Sequence, residues 1–459
     1  MDIDKYVENS CRVSLMQMLE AREKRAERQA SLIDIYDKTL ISFTMNIPGE
    51  YKSYPLCAYA FQKGFGLIED ILSMNHIEQH YSKKYLLPTG PEGYFIVDAE
   101  PETVKQLTCD IEDAHPAGRL FDIDVISNAG KKVSRSGEGE TTRECIIGGK
   151  PVWECSRSRN HSALDLSRRT AELLLDYYIE SICDEVSSLA VRSLLYEVSV
   201  TPKPGLVDLK NNGSHSDMDV LTFIDSSSSL YTYFKSITLK AFKYKGPPEK
   251  MLPEFRFLGQ LAEARMLRAT GGINTHKGAI FSLGLICMAF GILKRDNAMV
   301  SIEKVLSTCG KITSGITNEL DESKHDKSHG ERAYKTHGIK GVRGEADAGF
   351  PSVVSIAVPV FNLYHEKGLN YNDTGVITLM HLISKVDDTN IVARSGAQIL
   401  EDIHKELSAF LNGSPAYKDI IKKAHELDDI FISENISPGG CADLLAMAFF
   451  LHFLLKSGL

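Results

Sequence analysis

Gly118-Arg119-Leu120-Phe121-Asp122-Ile123-Asp124-Val125 alternates apolar and charged residues. Period two is the pattern of a half-buried strand, in which side chains two apart share a face. Asp122 and Asp124 therefore point the same way. Two carboxylates that close repel unless a cation sits between them, and Mg²⁺ bridging to phosphate meets that need. Arg119 offers a guanidinium that can clamp a phosphate through two hydrogen bonds. An exposed strand face bearing two solvated acids is the plainer reading of the same spacing.

The neighbouring segments are mixed. Residues 12–38 read as a helix with a partial apolar stripe (Leu15, Met18, Leu19, Ala26, Ala30, Ile33, Tyr36), and Arg22 to Arg28 read as its solvated, charged stretch. A strand is expected over 40–47, closed by Pro48-Gly49, then a helix over 56–74. Further strands are expected over 94–97, 104–111 and 120–126, and a polar loop over 131–142. After Ser162 the texture changes to long amphipathic or apolar segments: 167–197, 217–242, 254–269, 277–294, 298–320, 350–366, 374–386, 391–411, 415–431 and 440–456. The chain thus reads as multi-domain, with an α+β N-terminal domain over 1–170 and an all-α C-terminal domain over 171–459.

The bulk numbers narrow the partners. At 459 residues the chain is too long for one typical core. A net charge of −9 argues against nucleic acid, whose phosphates require a basic surplus. The acidic, polar start does not read as a secretory signal. The longest apolar run, 278–293, falls short of the roughly 20 residues a membrane helix needs and contains three glycines, so it reads as a buried core helix. Nine scattered cysteines, an odd number, suggest reduced thiols and a cytoplasmic protein without membrane contact. Cys145, Cys155 and His161 offer three soft ligands for Zn²⁺. A fourth ligand is missing, and small core thiols are the preferred reading.

The helical half carries a second set of polar turns. Glu197 closes a long helix, and Thr201-Pro202-Lys203-Pro204-Gly205 presents Lys203 on a stiff backbone ahead of Asp208. His215-Ser216-Asp217-Met218-Asp219 follows, where Ser216 and Asp219 also read as a capping box. Gly271 and Gly272 precede Asn274, His276 and Lys277 at the start of an apolar helix, a natural anion site. Arg343 lies beside Glu345 and Asp347; Asp387 adjoins Asp388; and Ser437-Pro438-Gly439-Gly440 opens another helix. Basic groups and bare glycine backbone suit phosphate, and the acids suit Mg²⁺.

Two resemblances attach to these strings. The segments 41–49, Gly90-Pro91-Glu92-Gly93 and 115–125 resemble the holo-citrate lyase synthase family, the phosphoribosyl-dephospho-CoA transferases that load the acyl carrier protein of citrate lyase. The resemblance covers roughly residues 10–170. It implies that a carrier serine attacks the α-phosphorus of a triphosphoribosyl group and expels pyrophosphate. Asp122 and Asp124 would hold Mg²⁺, and Arg119 would grip the departing group. Members of the family carry Cys-x-x-Cys, six residues, Cys, five residues, His; Gly148 stands here in place of the second cysteine.

The strings from Glu197 to Asp208, from Gly272 to Gly278, Gly344-Glu345-Ala346, Asp388-Thr389-Asn390 and from Ser437 to Asp443 resemble triphosphoribosyl-dephospho-CoA synthase. The implied reaction joins ATP to 3′-dephospho-CoA: the 2′-hydroxyl attacks C1′ of the ATP ribose and adenine leaves. Lys203, Lys277, Arg343 and the backbone at Gly271, Gly272, Gly439 and Gly440 would grip phosphate. Asp208, Asp217, Asp219, Glu345, Asp347, Asp387 and Asp388 are the candidate Mg²⁺ ligands. His215 or a carboxylate such as Glu197 would move the protons. Together the halves resemble a fusion in which one domain's product is the other's substrate. A rival reading is a Mg²⁺-dependent glycohydrolase of ADP-ribose type with a non-catalytic carrier-docking domain.

Overall fold

A computed structural model describes residues 10–134, 145–149, 155, 161–318 and 334–459. The chain divides into two compact units, Met1–Ser181 and Ile182–Leu459. The expected loop over 131–142 is described as far as Ser134, and its remainder, like the last two residues of the expected helix 298–320, lies outside the described residues.

Unit 1 runs α1 (Leu15–Tyr36), β1 (Thr39–Met45), α2 (Pro55–Met74), β2 (Glu78–Leu87), β3 (Gly90–Asp98), α3 (Pro101–Ala114) and β4 (Phe121–Ile126). The strands form one antiparallel sheet in the order β2-β3-β1-β4. Alternation gives it two different faces. Ile41, Phe43, Phe95, Phe121, Ile123 and Val125 lie on one face, and its aromatic rings pack against Phe61 and Phe65 of α2. The opposite face joins Leu40, Tyr94, Ile96 and Ile126 to Leu32 of α1, with Ile33 and Tyr36 packed against them. Ser14 starts α1 through a capping box with Gln17.

Two elements of unit 1 depart from expectation. Residues 104–111 form part of α3, not a strand: Val104, Thr108 and Ile111 are buried at helical spacing, behind Pro101 at the first turn. β2 was not anticipated. It is an edge strand, mostly exposed and carrying Lys83 and Lys84, so it lacks the apolar run by which buried strands are read.

Unit 2 is helical among its described residues. The junction helix α4 (Ala163–Ser199) has residues in both units. After it come α5 (Val220–Ser229), α6 (Tyr231–Lys243), α7 (Met251–Ala269), α8 (Lys277–Arg295), α9 (Ile302–Ile312) and α10 (Gly341–Asp347). Then follow α11 (Val358–Glu366), α12 (Tyr371–Ile383), α13 (Thr389–Ser395), α14 (Ala397–Asn412), α15 (Tyr417–Ser433) and α16 (Gly439–Lys456). The core is built on α8 and α16, which pack against each other. Both are long and apolar enough to cross a membrane, yet both are mostly buried inside the unit.

Three expected helices are subdivided. The stretch 217–242 breaks at Leu230 between α5 and α6. The stretch 391–411 breaks at Gly396, whose φ of +91° ends α13. The stretch 350–366 opens with a π-turn over Val353–Ala357 ahead of Pro359, which has no N–H to give to a regular turn.

Candidate active sites

In unit 1 the sheet register builds two polar rows. Asp122 lies opposite Thr44 and Asp124 opposite Ser42, while on the far side of β1 Thr44 faces Glu92 and Ser42 faces Tyr94. Thr44 Oγ1 donates to Asp122 Oδ2 at 3.4 Å, and Asp124 pairs with Lys132 Nζ at 2.5 Å. Asp122 is exposed and Asp124 half-buried. Helix α1 covers part of this face: Gln29 Nε2 donates to Ser42 Oγ at 2.8 Å.

Arg25 and Arg28 do not behave as a solvated charged stretch. Arg25 Nε reaches Glu92 Oε1 at 3.0 Å and Arg28 Nη1 reaches Glu92 Oε2 at 2.7 Å. Tyr94 Oη donates to the same carboxylate at 2.6 Å. Glu92 is almost wholly buried, and a buried carboxylate is held only by such a full set of partners. Burial pushes the Tyr94 phenol up.

Arg119 sits in the single turn Gly118–Leu120 that leads into β4. A Cβ on Gly118 would lie 2.2 Å from the Glu112 carbonyl oxygen, so only glycine lets the chain pass α3 here. His115 braces the same turn. Its Nδ1 accepts from the Ala117 N–H at 3.0 Å, so Nε2 carries the proton and donates to Tyr177 Oη at 3.1 Å. Burial pushes His115 down to about 4. Cys145, Cys155 and His161 come together, with donor atoms within 4.8 Å of one another. The Cys145 thiol is held below its usual range by the Gly148 and Ile147 N–H groups, with smaller help from Cys155 and Arg119.

In unit 2 the starts of α8, α13 and α16 and the end of α4 bring buried charge together. Lys203 Nζ meets Glu197 Oε1 at 2.5 Å, and both side chains are almost fully buried. Asp388 caps α13, accepting from the Asn390 N–H at 2.8 Å and from the Cys441 N–H of α16 at 2.9 Å. Gly440 permits that approach: a Cβ there would stand 3.0 Å from Asp388 Oδ2. Asp443, one turn into α16, accepts from the Ala279 N–H of α8. A Cβ on Gly278 would fall 1.9 Å from Asp443 Oδ2.

This centre is unbalanced in charge. Burial pushes Glu197 and Asp388 up, against the pull of Lys203 on one and of backbone N–H groups on the other. Part of Asp443 reaches solvent, yet its low-dielectric surroundings, with Glu197 and Asp388 nearby, hold its carboxyl well above the ordinary range. His276 lies at the edge of the centre. Its Nδ1 pairs with Ser226 Oγ at 2.7 Å, and its Nε2 is buried without a hydrogen-bond partner. Burial, with a contribution from Lys203, pushes it down to about 3, so it is neutral at ordinary pH.

The remaining candidates are spread around this centre. Glu345 holds Ser352 through Oγ at 2.5 Å and N–H at 3.2 Å; burial raises its pKa and Asp387 adds to the rise. Asp387 is exposed. Asp208 is buried and accepts three backbone N–H groups, from Lys203, Lys210 and Asn211, which fixes the loop that carries Lys203. Asp347 ties down Gly315 and Thr317. The cap of α5 is Asp219 with Thr222, not Ser216, so that helix starts three residues later than the expected capping box. Asp217 is exposed.

His215 has both ring nitrogens engaged. Arg394 donates to Nδ1 at 3.2 Å, so Nε2 donates to Ser437 Oγ at 3.0 Å. Burial pushes it down to about 4. Lys277 is 56% exposed and pairs with Glu263 at 3.1 Å, and Arg343 is half-buried in α10. Gly271 and Gly272 have φ of +66° and +96° with open space around them, whereas Gly439 packs on Asn390. Asp443 and His276 also belong to this centre, although the sequence assigns them no role. Their one early signal is position, each within a turn of a glycine-rich helix start.

Both halves match known families. A family model described as ATP:dephospho-CoA triphosphoribosyl transferase matches residues 183–458. One described as apo-citrate lyase phosphoribosyl-dephospho-CoA transferase matches residues 13–177. The chain is 35% identical to Protein CitXG of Leuconostoc mesenteroides subsp. cremoris, over 98% of this chain and 99% of that protein. The chain belongs to the CitXG family. A second CitXG protein, from Haemophilus influenzae, is 33% identical over 96% of this chain and 97% of its own length. A Haemophilus ducreyi protein named 2-(5''-triphosphoribosyl)-3'-dephosphocoenzyme-A synthase is 36% identical over 66% of this CitXG-family chain and 97% of its own. Both family models describe transferases, one using ATP and the other acting on apo-citrate lyase.

Proposed function

We propose that this chain makes 2′-(5″-triphosphoribosyl)-3′-dephospho-CoA from ATP and 3′-dephospho-CoA, releasing adenine. It then transfers the phosphoribosyl-dephospho-CoA group to a serine of the apo acyl carrier protein of citrate lyase, releasing pyrophosphate. The observation that carries this reading is the pairing, in one chain, of a transferase match over 13–177 with a synthase match over 183–458. Residues 1–170 carry the transfer and residues 171–459 the synthesis, and the action is cytoplasmic.

In the helical unit, Asp443 is the general acid. Burial, with Glu197 and Asp388 nearby, raises its pKa well above the ordinary carboxylate range, the direction that suits a group handing a proton to departing adenine. Glu197 holds Lys203 in place, and Lys203, Lys277 and Arg343 take the triphosphate. The open backbone at Gly271 and Gly272 lies beside the start of α8, where N–H groups favour anions. His215 positions Ser437 at the start of α16. The surplus of oxygen donors over cations fits a hard divalent ion, and Glu345 and Asp387 would hold Mg²⁺, with Asp388 fixing the helix starts behind them. When bound, Mg²⁺ neutralises triphosphate charge. Asp208, Asp219 and Asp347 shape the loops around the site.

In the α+β unit, Asp122 and Asp124 would hold a second Mg²⁺, and Arg119 would grip the leaving pyrophosphate. The test of the synthase half is adenine release followed by chromatography. Release that requires dephospho-CoA is expected; equal release without it would support a glycohydrolase instead.

A further inference from the structure

Three soft donors of unit 1 meet at one point. The sulfurs of Cys145 and Cys155 and a ring nitrogen of His161 lie within 4.8 Å of one another. A tetrahedral zinc ion, with Zn–S near 2.3 Å and Zn–N near 2.0–2.1 Å, spaces its ligand atoms about 3.5–3.8 Å apart. The three donors therefore stand within about an ångström of that spacing. A buried imidazole nitrogen ordinarily has a partner, yet His161 Nε2 is shut off from solvent and has none. Cys145 is only partly buried, which is unlike an inert core thiol. The other gathered set, Glu78, His80 and Asp98, is exposed, and Asp98 is already paired with Lys38 at 2.6 Å.

Gly148 lies beside the cluster. A Cβ there would stand 3.2 Å from His161 Nε2 and 3.8 Å from Cys155 Sγ. The backbone thus approaches the cluster while supplying no donor atom. We propose that Cys145, Cys155 and His161 form a zinc site in which Gly148 leaves the fourth position to a water molecule. Three protein ligands and one exchangeable position distinguish such a site from a closed structural one. Gly148 also lacks the positive φ that would bar a side chain, so a cysteine there can complete the set.

The test uses the full chain, purified under reducing conditions, loaded with Zn²⁺, desalted and analysed for metal. One zinc per chain is expected. Cys145→Ser and His161→Asn should each weaken binding by at least about tenfold. Gly148→Cys should tighten it several-fold, and this gain keeps the test decisive where a ligand-removing variant does not fold. With Co²⁺ in place of Zn²⁺, the thiolate charge-transfer absorption should fall in Cys145→Ser and rise in Gly148→Cys. The proposal is overturned by a wild-type chain that retains no zinc. It is equally overturned by zinc indifferent to all three substitutions, or by thiol titration that finds Cys145 and Cys155 joined as a disulfide.

Discussion

Asp443 is the side chain on which the proposed synthesis turns. Burial, with Glu197 and Asp388 nearby, makes its ionised form costly, and the backbone N–H it accepts from α8 offsets only part of that. Asp443→Asn should slow adenine release by about 10²–10⁴-fold while leaving carrier loading from supplied intermediate intact. A group that works protonated supports the reaction below its pKa and fails above it. Adenine release should therefore fall on the alkaline side through one ionisation, and that limb should vanish in Asp443→Asn. Lys203 is a separate case: replacing it with Met strands the Glu197 carboxylate in the core. The loss should be about 3–5 kcal/mol of stability, read from urea unfolding of the helical unit. The alternation around Asp122 and Asp124 made their shared face legible from sequence, because strand geometry fixes it locally. Asp443 was not legible, since its surroundings come from helices far away in the chain.

Helix starts matter more than helix lengths in this protein. The apolar runs of α8 and α16 stand out in the sequence because both helices are buried over most of their surface. What the runs do not reveal is how closely their first turns approach. Gly278 sets that distance against Asp443, and Gly440 sets the approach of α16 to Asp388 at the start of α13. Gly278→Ala should cut adenine release at least tenfold, since displacing a reacting group by about an ångström costs up to about 100-fold. Circular dichroism should show the helix retained, because Ala favours helix over Gly. In unit 1 the departures from local sequence pattern have the opposite origin. Strand β2 is polar because it is an edge, and α3 carries β-branched residues on its buried face, so local composition pointed the wrong way in both. The arginines of α1 read as a solvated face because their partner, Glu92, sits on β3.

The whole chain reads as two catalysts in series, and its parts should fail separately. Asp122→Ala should abolish carrier loading while adenine release proceeds at the normal rate. Asp443→Asn should do the reverse. Mixing the two variants should restore loading if the triphosphoribosyl intermediate passes through solution, and the rate should then depend on the concentration of each. The change of texture after Ser162 was visible because helices and strands bury their apolar residues at different periods. The most direct measurement is intact mass spectrometry of apo citrate lyase acyl carrier protein incubated with this chain, ATP, dephospho-CoA and Mg²⁺. The carrier should gain the mass of one phosphoribosyl-dephospho-CoA group, only when both nucleotides are present. A carrier of unchanged mass alongside steady adenine release would contradict the account.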